Sequence, residues 1–222
     1  MRVTDRAALH LSQQLWEGTV HRVGFSRKMQ GRIFMAPEYD AAKGDLSRMT
    51  ANDQFQAAPI KVLFVCTGNI CRSPTAHGLL RQRLAEAGLA DAIHVASSGT
   101  GTWHIGSAPD ARARAEAAAH GIDIADLRAQ KIEPGDLDRF DYVIAMDHDN
   151  QADLLALAGN DTSRRNRVHL LGDFSAQYAG QPVGDPYYGG DAGFAQVFAM
   201  IDTCVTALTE RLADELGRAG KG

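Results

Sequence analysis

The chain has 222 residues, 45% of them hydrophobic and 23% charged, which suits one medium domain with an ordinary core, or one domain plus an appendage. A net charge of −4 gives no electrostatic footprint for nucleic acid, and no run approaches the apolar length of a membrane span, so neither is an expected partner. Three cysteines argue against a disulfide framework, and Asp5, Arg6, His10, Glu17 and His21 interrupt every stretch that might serve as a secretion signal; the expectation is a protein of the reducing cytoplasm.

Charge divides the chain. Residues 1–59 hold 8 Lys/Arg and 6 Asp/Glu, a net of +2, whereas residues 60–222 hold 15 and 21, a net of −6. Residues 4–17 read as an amphipathic helix, and 19–25 with 31–35 as paired strands, but no repeat or motif gives 1–59 a role. We read it as an N-terminal extension of unknown role, or as sequence upstream of a start at Met49.

From residue 60 the pattern becomes regular. Residues 60–65 (I-K-V-L-F-V) are nearly all apolar, as in a strand covered on both faces. Ser73 is positioned to cap a helix with Pro74 at its first position, and Gly88 ends it. A second strand fits 93–97. Residues 110–120 are Ala-rich and helical, closed by Gly121. A third strand fits 142–146, after which Asp147 caps a helix to Ala158, and 168–171 make a short fourth strand. The last helix starts near Asp191, with Phe194, Val197, Phe198, Ile201, Val205, Leu208, Leu212 and Leu216 on one apolar stripe and Cys204 among them. Four strands alternating with helices predict an α/β fold with a doubly wound, four-stranded parallel sheet. Ligands of such folds bind at the carboxyl ends of the strands, which directs attention to residues 66–73.

That loop reads Cys66-Thr67-Gly68-Asn69-Ile70-Cys71-Arg72-Ser73, a C-x5-R-S sequence between a strand and a helix. Wrapped around an anion, it would point backbone N–H groups inward, with the helix N-terminus adding partial positive charge. Gly68 gives backbone freedom and Asn69 tolerates left-handed angles. Arg72 can hold two phosphate oxygens with its planar fork. The same positive surroundings favour thiolate over thiol at Cys66, so one loop offers both a nucleophile and a phosphate site. The competing reading of Cys66 is a small buried hydrophobe at a strand end, and C-x5-R alone recurs by chance. Metal binding by Cys66 and Cys71 lacks the further Cys or His ligands that would complete a site, and no cofactor is expected.

The full stretch V-C-T-G-N-I-C-R-S-P-T-A resembles the signature of the low-molecular-weight protein tyrosine phosphatase family almost residue for residue. The resemblance covers 60–222, which it makes the low-molecular-weight phosphotyrosine phosphatase domain, and implies a flavodoxin-like sheet. It implies that Cys66 attacks phosphorus, that Thr67, Gly68, Asn69, Ile70, Cys71 and Ser73 surround the phosphate, and that Ser73 hydrogen-bonds the Cys66 sulfur. It further implies that Asp185, in Asp185-Pro-Tyr-Tyr188, is the general acid. Tyr187 and Tyr188 would form one wall of a slot for the substrate ring and Trp103 the other, and Ser97 would steady the phosphate loop. The substrates implied are phosphotyrosine-containing proteins, with a tyrosine kinase as a further partner.

The resemblance has departures. The family usually has Glu where His77 stands, and often H-x-A-R-Q where this chain has Leu127-Arg-Ala-Gln-Lys131, so a histidine that helps order the loop is missing at Leu127, and Gln130 replaces an arginine. Three other activities stay open. An arsenate reductase on this scaffold needs a thiol relay that Cys71 and Cys204 do not evidently supply. A protein-arginine phosphatase tends to have Thr at the position of Ile70. A non-catalytic phosphoprotein-binding module requires loss of Cys66, Arg72 or Asp185. Finally, Cys71 lies five residues after Cys66 in a curled loop, where it can trap an oxidised Cys66 as a disulfide.

Overall fold

The structure, a computed structural model, describes residues 59–188 and 190–219, except for the side chains of Tyr188 and Asp191. The helix and strands expected within 1–59 lie outside the described residues. Four strands form one parallel sheet in the order β2-β1-β3-β4: β1 is Ile60–Cys66, β2 Ile93–Gly99, β3 Tyr142–Ala145 and β4 Val168–Leu170. The helices are α1 (Arg72–Glu86), α2 (Ala111–Ala119), α3 (Asp136–Arg139), α4 (His148–Ala158), α5 (Thr162–Arg165) and α6 (Gly190–Ala219). The sequence reading did not include α3 and α5, whose single turns are too short to carry a hydrophobic period.

Side-chain alternation along the central strand explains the winding. Ile60, Val62, Phe64 and Cys66 face one way, joining Leu79, Leu80 and Leu84 of α1 and Ile201, Cys204, Val205, Leu208 and Leu212 of α6. Leu63 and Val65 face the other way, with Leu137, Phe140 and Leu154. In β3, Tyr142 and Ile144 join the first layer, Val143 and Ala145 the second. Each fully buried Leu or Ile contributes roughly 1.5–3 kcal/mol relative to exposure, so the apolar stripe of α6 fastens the last helix to the sheet. By length and composition α6 is also long and apolar enough, within Ala192–Ala219, to cross a membrane, which corrects the sequence expectation. Phe198, Ile201, Cys204, Val205, Leu208 and Leu212 of this helix are buried in the layer that holds α1 and the Ile60 face of the sheet.

A second correction concerns the start of α1. Helical geometry begins at Arg72, after Cys71 at φ −122° and ψ −82°, and no side chain caps it. Ser73 is therefore inside the first turn, with its hydroxyl used elsewhere. Pro74 falls in the same turn, where a missing N–H costs nothing. The other helix signals hold: Gly88 and Gly121 take φ of +69° and +75°, Asp110 accepts from Arg112 N, and Asp147 accepts from Asn150 N. Because β1 lies between β2 and β3, the carboxyl ends of these three strands bring together residues 66–73, the segment after Gly99, and Asp147.

Candidate active site

The loop from Cys66 to Arg72 is seated on the segment that follows β2. Thr100 N donates to Cys66 O (3.0 Å) and Gly101 N to Thr67 O (2.8 Å). Gly99 makes this close approach feasible, since a Cβ there would stand 2.6 Å from Thr67 O and 3.1 Å from Asn69 N. The middle of the loop turns on Asn69, the sole non-glycine residue at positive φ among the described residues (+53°). Its buried side chain bridges two sides: Nδ2 donates to Ser73 Oγ (2.9 Å) and Oδ1 accepts from Gln130 N (2.8 Å).

Cys66 ends β1 and is 2% exposed. Its Sγ lies 3.0 Å from Ser73 Oγ and accepts from Asn69 N at 3.2 Å. Ser73 Oγ also donates to Ser98 O (3.2 Å), which fixes the hydroxyl beneath the sulfur. Asn69 N–H thus donates to Sγ, while the single hydrogen of the Ser73 hydroxyl serves either Sγ or Ser98 O. Arg72 is 3% exposed. Its Nη1 is committed to Asp147 Oδ2 and Val183 O, while Nη2 stands 3.5 Å from both Thr67 Oγ1 and Asp185 Oδ2. Burial works against the Arg72 charge, but the Cys66 sulfur and Asp147 more than offset it, so the guanidinium pKa is raised and the charge is secure. Cys71 sits in a small apolar cluster with Ile70, Ala113, Ala129 and Phe194. Burial, with Asp110 and the Cys66 sulfur adding, pushes its thiol up to about 12.

Asp185 is half exposed, its Oδ1 accepting from Tyr187 N at 3.0 Å and its Oδ2 facing Arg72. Trp103 and Tyr187 are exposed, and with Ile105 they are the exposed large apolar side chains of the described residues. The side chain of Tyr188, expected in the same wall, lies outside the described residues. Trp103 packs its ring over Gly101, and His104 closes on Gly68, where a Cβ would meet His104 Cδ2 at 3.1 Å.

Several residues of the site were not singled out from sequence. Asp147 was read only as a helix cap, yet its second carboxylate oxygen anchors Arg72; its place at the end of β3, beside β1, was the signal available. Asn150, 1% exposed, touches Thr67 Oγ1 at 3.1 Å and, with its NH2 toward Asp147, lies 3.0 and 3.1 Å from the two carboxylate oxygens. Val183 contributes a carbonyl, which no side-chain pattern reveals. Gln130 acts through its backbone, its N–H on Asn69 and its O accepting from Gly99 N at 2.7 Å. Arg128 donates to nearby carbonyls, those of Ala125 and Leu127. Ser97 Oγ is 3.4 Å from His77 Nδ1, and Leu127 packs against the core.

Comparison with known proteins gives a consistent set of relatives. The family described as low molecular weight phosphotyrosine protein phosphatase matches residues 61–218. Low molecular weight protein-tyrosine phosphatase A of Mycobacterium tuberculosis is 40% identical over 162 residues, 73% of this chain and 97% of that protein. The crystal structure of a protein tyrosine phosphatase from Entamoeba histolytica is similar with a TM-score of 0.66 at 31% identity, covering 70% of this chain and 98% of that one. A Drosophila arginine phosphatase is similar with a TM-score of 0.64 at 30% identity, covering 69% and 98%.

Proposed function

The chain belongs to the low-molecular-weight phosphotyrosine protein phosphatase family, which makes it a protein-tyrosine phosphatase, and we propose that Cys66 is its nucleophile, Arg72 its phosphate clamp and Asp185 its general acid. The observation that carries this assignment is the Cys66 sulfur held between Ser73 Oγ and Asn69 N at the head of α1, with the buried Arg72 beside it.

The phosphoryl group of a phosphotyrosine enters the loop with its oxygens on the inward amides and on the Nη2 edge of Arg72, whose contacts with Thr67 and Asp185 are long enough to yield. The other edge stays tied to Asp147 and Val183, so the clamp does not swing. Cys66 attacks phosphorus in line, the S–P bond forms and the P–O bond to the tyrosyl oxygen breaks. That oxygen belongs to a phenol of pKa near 10, so proton transfer from Asp185 as the bond breaks lowers the barrier. The carboxylate of Asp185 then takes a proton from the water that attacks the phosphocysteine. Phosphate leaves, and Cys66 departs as a thiolate stabilised by the Ser73 hydroxyl.

The substrates of this reading are phosphotyrosine-bearing proteins, a tyrosine kinase among them. Residues 60–222 are its catalytic unit. A cytoplasmic setting fits three cysteines that are all free thiols.

The test is hydrolysis of aryl phosphates and phosphotyrosyl peptides without added metal, with orthovanadate as inhibitor. Cys66→Ser should abolish turnover and keep phosphate affinity, because the amides and Arg72 remain. Asp185→Asn should slow aryl ester cleavage by roughly 10²–10⁴-fold, with less loss for acidic leaving groups. Wild-type activity should follow a bell-shaped profile with an acidic optimum, since catalysis needs a thiolate and a carboxylic acid together. Turnover by Cys66→Ser would refute the assignment. Phosphoarginine in parallel tests the activity of the Drosophila relative; faster release from it than from phosphotyrosine would move the substrate class.

A further inference from the structure

The mechanism requires Asp185 to meet the leaving oxygen, yet its carboxylate is half exposed and stands at the long limit of hydrogen bonding from Arg72. Something else must fix the segment that carries it. We propose that Arg112 is a positioning residue that ties the acid segment to the phosphate loop and so sets Asp185 at its working distance; this rests on the reading of Asp185 as the general acid.

A continuous chain of contacts joins the two ends. Asp110 N donates to Ile70 O in the phosphate loop at 2.8 Å. The Asp110 carboxylate then receives three bonds from Arg112: the backbone N (2.8 Å), Nε (3.1 Å) and Nη2 (3.0 Å). The remaining nitrogen, Nη1, donates to Tyr187 O at 3.1 Å. Tyr187 in turn donates its N–H to Asp185 Oδ1. The flat face of the guanidinium is used as well, with its carbon 5.3 Å from the centroid of Tyr187 and 4.7 Å from that of Phe194 in the first turns of α6.

Each part of this strut has a geometric reason. One edge of the guanidinium fork fits the carboxylate of Asp110, its tip reaches the carbonyl of Tyr187, and its face takes two rings. A lysine can supply the charge but not all three contacts. The side-chain bonds from Arg112 hold the Asp110 carboxyl below the usual carboxylate range, so the strut keeps its charge pair at acidic pH. With edge, tip and face all occupied, Arg112 is engaged in holding protein groups rather than offered to a substrate carboxylate. The segment from Val183 to α6 is anchored at its start, where Val183 N donates to Met146 O and Val183 O accepts from Arg72; the Arg112 contact anchors it past the acid.

The experiment compares single-turnover phenol release from phenyl phosphate and from p-nitrophenyl phosphate, whose leaving group is far more acidic. Wild type, Arg112→Ala, Arg112→Lys, Asp185→Asn and the Arg112→Ala/Asp185→Asn double variant are measured. Misplacing an acid by about 1 Å costs up to about 100-fold, so Arg112→Ala should lose about 10–100-fold on phenyl phosphate and under about 3-fold on p-nitrophenyl phosphate. Arg112→Lys should fall between, and vanadate affinity should be unchanged in both. In the Asp185→Asn background the same change should cost under about 3-fold, because the group it positions is gone. Equal losses on both esters, no loss, or full additivity in the double variant would overturn the inference. If Arg112→Ala does not fold, Arg112→Lys carries the same comparison. Asp185→Asn without leaving-group dependence would instead sink the general-acid reading itself.

Discussion

Replacing Asn69 probes how the phosphate loop is held. The residue sits at φ +53°, is 2% exposed, and links Ser73 to Gln130. In Asn69→Ala the left-handed backbone costs about 1–2 kcal/mol, because an alanine Cβ is strained there. The Gln130 N–H loses its acceptor, worth about 1–3 kcal/mol and nearer the low end because the Gln130 residue is exposed. Ser73 keeps Cys66 and Ser98 O, so its loss is small. The sum is about 2–4 kcal/mol, a large share of the 5–15 kcal/mol typical of a domain. Asn69→Gly removes the strain but adds about 0.5–1 kcal/mol of unfolded-chain freedom, and it loses the same hydrogen bonds. Glycine should therefore be the less damaging change, by about 0.5–1 kcal/mol on balance of these terms. Urea unfolding with matched m-values reads the difference, and both variants should lose turnover because the Cys66 sulfur sits on this strut. An alanine variant as stable as wild type, or more stable than the glycine variant, would refute the reasoning.

Two further outcomes are expected. Burial, aided by Arg81, pushes His77 down from 6.5 to about 3. Protons then bind the unfolded chain first, so the stability of the neutral ring is complete above pH 6.5 and is lost as pH falls toward 3. In urea melts between pH 7 and 5, wild type should lose about 1–2 kcal/mol more than His77→Gln, and parallel curves would contradict this. For oxidation, Cys71 is a buried thiol raised to about 12, so it condenses with an oxidised Cys66 slowly and faster at higher pH. Peroxide-treated wild type should recover in dithiothreitol and Cys71→Ser should not; equal recovery would rule out the protective role.

The sheet was legible because its strands are buried on both faces, so 60–65 and 142–146 stand out as apolar runs, and each observed strand end lies within two residues of the expected one. The stripe of α6 was legible because one face meets the core at helical spacing. Ser73 was misplaced because Ser-Pro is a helix-start signal wherever it occurs. Nothing local shows that the hydroxyl is drawn away to a sulfur seven positions earlier. Asp147, Val183 and Arg112 were missed for a related reason. Each acts on a residue 75 or more positions away, and only the strand order brings them together.

Behind the phosphate loop, position 77 carries a neutral ring rather than a charge. A glutamate at position 77 would be a partly buried charge, and Arg81, one turn along, is already committed to Asp126 and to Asp123 O. A buried carboxylate without a partner is costly, whereas a neutral imidazole is not. His77 stays neutral because burial and Arg81 oppose its proton, and its Nδ1 is within reach of Ser97 Oγ. Leu127 packs against the core. A hydrogen-bonding ring still backs the β2 end on which the phosphate loop rests. It works as a neutral group, and because burial pushes its pKa down to about 3 it stays neutral in the folded protein at mildly acidic pH.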